Sequence, residues 1–155
     1  MVITNFEAVN FLVKNQQLLT NFKNLVIDEF TAFKNKDAKR SKNIKKLSEI
    51  FERRVGMSGT PNTNSILDLW HPVHLIDDGQ HLGSRFYSYR HQVCTPQFNG
   101  FDNVWTDKPG IEEVVANQLK DITIRHALED CIDLPDNIVR TVYTTLSPQV
   151  AKPLN

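Results

Sequence analysis

Cysteine is scarce in this chain of 155 residues, and its two copies, Cys94 and Cys131, lie far apart and form no CxxC pair. That argues against a disulfide scaffold and against a cysteine zinc site, and it fits a reducing compartment. Net charge is missing as well. Eighteen Lys and Arg balance eighteen Asp and Glu, so no global electrostatic signature of nucleic-acid binding exists. No segment approaches the roughly 18–20 apolar residues that span a bilayer, and no apolar run of signal-peptide type follows a basic start. A cytoplasmic protein without a membrane partner is expected. Internal repeats and low-complexity tracts are also absent.

What remains is ordinary for one globular domain with a real core: 40% hydrophobic and 23% charged residues. The first third alternates strand and helix patterns. Asn5 is placed to cap a helix carrying Val9, Leu12, Val13, Gln16 and Leu19 on one face. Leu25 to Asp28 is an apolar run without alternation, which predicts a strand covered on both faces, as in a parallel sheet. Ile44, Leu47, Ile50 and Phe51 recur at helical spacing, and Val55 to Gly59 is a second short strand that breaks into a turn at Pro61. Strand, helix and strand in this order form a right-handed crossover unit. Further on, Ile111, Val114, Val115, Leu119 and Ile122 fall at helical intervals behind Pro109. Ile138 to Leu146 is rich in β-branched residues and reads as a strand.

The chemistry concentrates at two loops. In parallel α/β sheets, ligands collect at the carboxyl ends of the strands. A strand ending in Asp28-Glu29 presents two carboxylates there, one able to hold Mg²⁺ and one able to orient and deprotonate a water. A solvated acidic turn is the plain alternative. About thirty residues on, the Ser58-Gly59-Thr60-Pro61 turn follows the next strand, so both loops should open on one sheet edge.

The pairing of Ile27-Asp28-Glu29 with SGTPNTNSILDLW, Ser58 to Trp70, resembles motifs II and III of Swi/Snf-type, superfamily-two DNA helicases, including phage-encoded ones. The resemblance implies two RecA-like lobes that translocate along double-stranded DNA. It implies Asp28 as the Mg²⁺-binding Walker B aspartate and Glu29 as the catalytic glutamate. Ser58, Gly59 and Thr60 match the motif that relays nucleotide state toward DNA, and Asn64, Asp68 and Trp70 match its structural tail. Phe30 and Thr31 depart from the family's usual small residue and histidine. Val2 to Val9, the Phe33-Lys34-Asn35 segment with Lys39 and Arg40, and Ile124 to Pro135 resemble other stretches of the same lobe.

The expected fold is α/β: a partial RecA-like parallel sheet with flanking helices over 1–70, then a mainly helical extension over 71–155 leading toward a second lobe. No GxxxxGK[ST] occurs in the sequence, and no motif with an arginine finger. ATP and Mg²⁺ are therefore expected only in a complete motor, with Walker A and the second lobe supplied by another polypeptide or a longer gene. A non-catalytic remnant that binds DNA or protein is the other class. A sheet cut in this way should leave strand edges and an apolar face uncovered.

Three further groups need weighing. Seven basic residues and one acid lie between Lys34 and Lys46. Lys34, Lys39 and Arg40 are candidates for phosphate contact, against a solvated loop and outer helix face. His71, His74 and His81 with Asp77 and Asp78 match no established zinc spacing, so no zinc is expected. Trp70, Phe86, Tyr87 and Tyr89 form either a base-stacking platform or, in the favoured reading, core.

Overall fold

A computed structural model describes residues 1–59, 64–126 and 140–142. The chain divides into two compact units, Met1–Thr123 and Ile124–Asn155. In the second, Ile124 to His126 and Arg140 to Val142 are exposed and without regular structure. The strand read over 138–146, and the segment after His126 that resembles the inter-lobe link, lie largely outside the described residues.

The first unit begins as the sequence suggests. Asn5 accepts a hydrogen bond from the Ala8 backbone at 3.1 Å and caps a 3-10 turn, Phe6–Ala8, that runs into α1, Val9–Lys14. The expected single helix to Leu19 is broken. Asn15 leaves helical geometry (φ −127°, ψ 47°) as its side-chain amide donates to the Phe11 carbonyl at 2.8 Å. Such local side-chain bonding competes with the helix ladder, and the chain continues as a separate 3-10 turn, Gln16–Leu19.

β1, Asn24–Ile27, and β2, Arg53–Gly56, pair in parallel, with Ile27 opposite Gly56. The crossover between them is a 3-10 turn, Phe30–Phe33, followed by α2, Lys39–Ser48. Ile27, Phe33, Ile44 and Leu47 are buried together with Val9 and with Leu75 from α3, Trp70–Asp77. The expectation of a sheet covered on both faces is corrected, because Val26 is 58% and Val55 38% exposed. α2 and α3 pack on one face only, so alternate residues of each strand stay in solvent.

Gly56 is fixed by a close approach. A Cβ there would lie 2.6 Å from Cδ2 of the Phe30 ring. Phe30, which stands where the resemblance would place a small residue, is therefore accommodated by the missing side chain across the sheet. Gly56→Ala should cost about 1–3 kcal/mol by overpacking, and Phe30→Ala in the same chain should recover part of it. Urea melts of the two single variants and the double variant measure the coupling; strict additivity would disprove the contact.

α3 ends at Asp78, whose left-handed backbone (φ 57°) aims its carboxylate at two cations. Arg54 Nη1 donates to it at 3.0 Å and to the Leu75 carbonyl at 3.2 Å, and Lys45 of α2 meets the same carboxylate. One side chain thus ties α2, β2 and α3 together. Its carboxyl is held far below the usual range, chiefly by the Arg54 hydrogen bond.

A second apolar cluster joins Ile66, Trp70, Tyr89, Cys94, Val115 and Leu119. It is built from α3, α4 (Phe86–Val93) and α5 (Ile111–Leu119). Between α4 and α5, β3, Cys94–Phe98, and β4, Asn103–Asp107, form an antiparallel hairpin. Val114 and Ile122, which recur at helical intervals with the buried Val115 and Leu119, are 53% and 43% exposed. Among the described residues no helix is long and apolar enough to cross a membrane.

Candidate functional site

β1 and β2 end side by side, and their pairing continues past the strands. The Met57 amide donates to the Ile27 carbonyl at 2.8 Å, and the Phe30 amide donates to Met57 at 3.0 Å. Asp28-Glu29 and Ser58-Gly59 therefore leave the sheet at one carboxyl edge. Asp28 Oδ1 accepts from the Glu29 amide at 3.0 Å, which fixes its carboxylate at the strand end. Glu29 adopts the left-handed conformation (φ 47°, ψ 49°). That is uncommon for a residue with a Cβ and costs on the order of 1 kcal/mol. In this conformation Glu29 Oε2 accepts from Ser58 Oγ at 3.4 Å. Both carboxylates are exposed. Thr60 lies outside the described residues.

The loop after the acids joins the same edge. Glu29, Thr31, Lys34, Asn35 and Arg40 line a cleft of about 330 Å³. Lys39 starts α2, exposed and outside that lining. Lys34 Nζ pairs with Asp68 at 3.0 Å, which ties this loop to the tail of the second motif. Of that tail, Asn64 is exposed, while Trp70 is buried and donates from Nε1 to the Gly83 carbonyl at 3.0 Å.

From behind, the Phe33 carbonyl accepts from Ser41 Oγ at 3.3 Å and from His71 Nδ1 at 2.6 Å, so the imidazole carries its proton on Nδ1. Burial pushes the His71 pKa down from its ordinary 6.5 to about 4, against the Phe33 hydrogen bond that raises it. The unfolded chain takes up this proton below about 6.5 and the folded chain only near 4. The His71 contribution is therefore intact above the ordinary value and is lost as pH falls across that window. The loss amounts to about 3 kcal/mol. Denaturant melts at neutral pH and at the lower end of the window should show it. His71→Asn, which keeps a donor for Phe33, should flatten the dependence, and an unchanged slope would count against it.

The other histidines have separate partners. His74 stacks on Trp70 with centroids 4.9 Å apart, and His81 Nδ1 lies 2.9 Å from Asp77 Oδ2. Among the described residues no group of three His, Cys, Asp or Glu is placed to share an ion. Asp107 accepts from Ser65 Oγ at 2.7 Å and from the Ile66 amide at 2.9 Å, so the hairpin anchors the tail of the second motif. Cys94 Sγ donates to the same carboxylate at 3.2 Å, and burial pushes this thiol up to about 12. Sequence reasoning passed over Asp107 and the hairpin, although Asn99-Gly100 between two strand-like runs is a hairpin signal.

The profile of the SNF2-related domain matches residues 1–153. The chain belongs to the SNF2-related domain family. It is also 26% identical, over 152 aligned residues, to TATA-binding protein-associated factor 172 of Homo sapiens. That alignment covers 90% of this chain and 8% of the human protein, so the chain spans a small part of that relative's length. No solved structure matches it. The mixed helix-and-strand architecture, with a parallel β1–β2 pair, agrees with the α/β fold implied by the SNF2 resemblance.

Proposed function

We propose that this SNF2-related chain is part of the first RecA-like lobe of an ATP-driven motor acting on double-stranded DNA. In this reading residues 1–70 are the C-terminal half of that lobe, and 71–155 are its extension and the link toward a second lobe. The observation that carries it is the juxtaposition of Asp28-Glu29 with Ser58 at one sheet edge, through the 3.4 Å Ser58–Glu29 hydrogen bond.

The donor set suits Mg²⁺. That ion is held by one or two carboxylates while water and nucleotide phosphates complete its shell, and exposed carboxylate and hydroxyl oxygens meet here. Asp28 would hold the ion directly or through water, and the ion with its bound ATP would supply charge neutralisation at the transferred phosphoryl group. Glu29, fixed by its backbone and by Ser58, orients the attacking water and accepts its proton. Ser58, Gly59 and Thr60 relay nucleotide state, and Lys34, Lys39 and Arg40 contact DNA phosphates. Each such contact adds to the salt dependence of binding.

Within these 155 residues there is neither a GxxxxGK[ST] loop nor an arginine-finger motif. The chain alone therefore binds ATP weakly and does not turn it over. Joined to segments from flanking reading frames that carry both parts, it should gain duplex-stimulated ATP hydrolysis. If the completed assembly stays inactive, the chain is a non-catalytic remnant and the motor reading falls.

A further inference from the structure

A second groove, of about 410 Å³, shares Lys34 and Asn35 with the cleft that Glu29 lines and extends to α4. Of the four aromatics considered above, Trp70, Phe86 and Tyr87 line it. Trp70 and Tyr89 are buried at 6% and 2% exposure, and Phe86 is half-buried. Tyr87 is 62% exposed, with its ring on the groove.

Two cations lie close over that ring. Lys36 Nζ lies 5.6 Å from the Tyr87 centroid and 5.2 Å from that of Phe86, and it pairs with Asp37 at 2.8 Å. The Arg90 guanidinium lies 5.1 Å from the Tyr87 centroid and 4.0 Å from that of Trp105. Arg90 Nε is buried and has no hydrogen-bond partner among the described residues. A buried donor left unmatched costs free energy.

We propose that this groove holds an unpaired nucleotide of a nucleic-acid strand, with its base on Tyr87 and its phosphates near Lys36 and Arg90. A flat accessible ring flanked by held cations complements a flat base joined to an anion, the pairing used by single-strand binders. Bases inside a duplex have both faces covered by their neighbours, so only an unpaired base can use Tyr87. The inference rests on the DNA-handling part of the proposed function for its choice of ligand and goes beyond it in naming an unpaired base.

The test is fluorescence anisotropy of the full chain with a short oligothymidylate, an abasic strand of equal length and charge, and a duplex. The base-bearing strand should bind about 10-fold tighter than the abasic one. Tyr87→Ala should abolish that preference and Tyr87→Phe should keep it; the exposed position leaves folding intact. Lys36→Ala should weaken both single strands alike and reduce the salt slope by about 0.7. Equal binding of the two single strands, binding of neither, or a preference that survives Tyr87→Ala would overturn the proposal. Equal binding would point instead to a groove for another class of ligand, such as an apolar peptide. Duplex binding without base preference would remove this groove while leaving the motor reading intact, because that reading is decided by ATP hydrolysis.

Discussion

Phe33→Ala is expected to destabilise the first unit by about 3–5 kcal/mol, the range for truncating a fully buried phenylalanine. Phe33 has no exposed surface and is packed among Val9, Ile27, Ile44, Leu47 and Leu75. The Phe6 ring meets it edge-on, with centroids 4.9 Å apart. An aromatic pair of this kind adds about 0.5–1.5 kcal/mol beyond area, so burial dominates. The carbonyl bonds to Ser41 and His71 are backbone contacts that alanine retains, so the loss is one of packing. Against a typical stability of about 5–15 kcal/mol, it would leave part of the population unfolded. The urea midpoint should fall sharply while the slope stays constant. A loss below about 1 kcal/mol would mean that this side chain does not organise the core beneath the Glu29 loop.

Glu29→Gln in the completed motor should lower the ATP turnover rate by about 10²–10⁴-fold, the usual contribution of a positioned general base. Glutamine keeps the shape and an oxygen for Ser58 to donate to, but it cannot accept the proton of the attacking water. Nucleotide affinity should therefore change little while turnover collapses. Folding should be unaffected, since the side chain is exposed. Single-turnover measurements separate the two effects. A comparable loss in affinity, or turnover within a few-fold of the unsubstituted motor, would assign Glu29 to binding or to nothing.

Much of the Asp28-Glu29 edge could be read from the letters because it depends on local patterns. Short apolar runs ending in Asp28-Glu29 and Ser58-Gly59, separated by one helix, can pair in parallel with both loops at one end, and they do. Burial was less legible. An unbroken apolar run such as Leu25 to Asp28 does not reveal whether one face or two are covered, and Val26 stays exposed. The helix from Val9 to Leu19 failed at Asn15, where a side chain competes for the backbone, a contest that periodicity does not register. The hairpin was hidden because Pro96 and the polar residues of β3 weaken the strand pattern. Its signal was the Asn99-Gly100 turn, where Gly100 takes φ 95° and Asn99 Oδ1 accepts from the Phe101 and Asp102 amides. The groove residues Lys36 and Arg90 lie some fifty positions apart on unrelated elements, and no spacing rule joins them.

The geometry at the edge can be probed in the chain as it stands, because even weak binding of a paramagnetic ion erases nearby nuclear magnetic resonance signals. Titrating the labelled protein with Mn²⁺-ATP in place of Mg²⁺-ATP should broaden the amides of Asp28, Glu29 and Ser58 first, and Asp28→Asn should protect them. If those amides stay sharp while signals around Asp77 and His81 or elsewhere disappear, the two loops do not form a metal-nucleotide site.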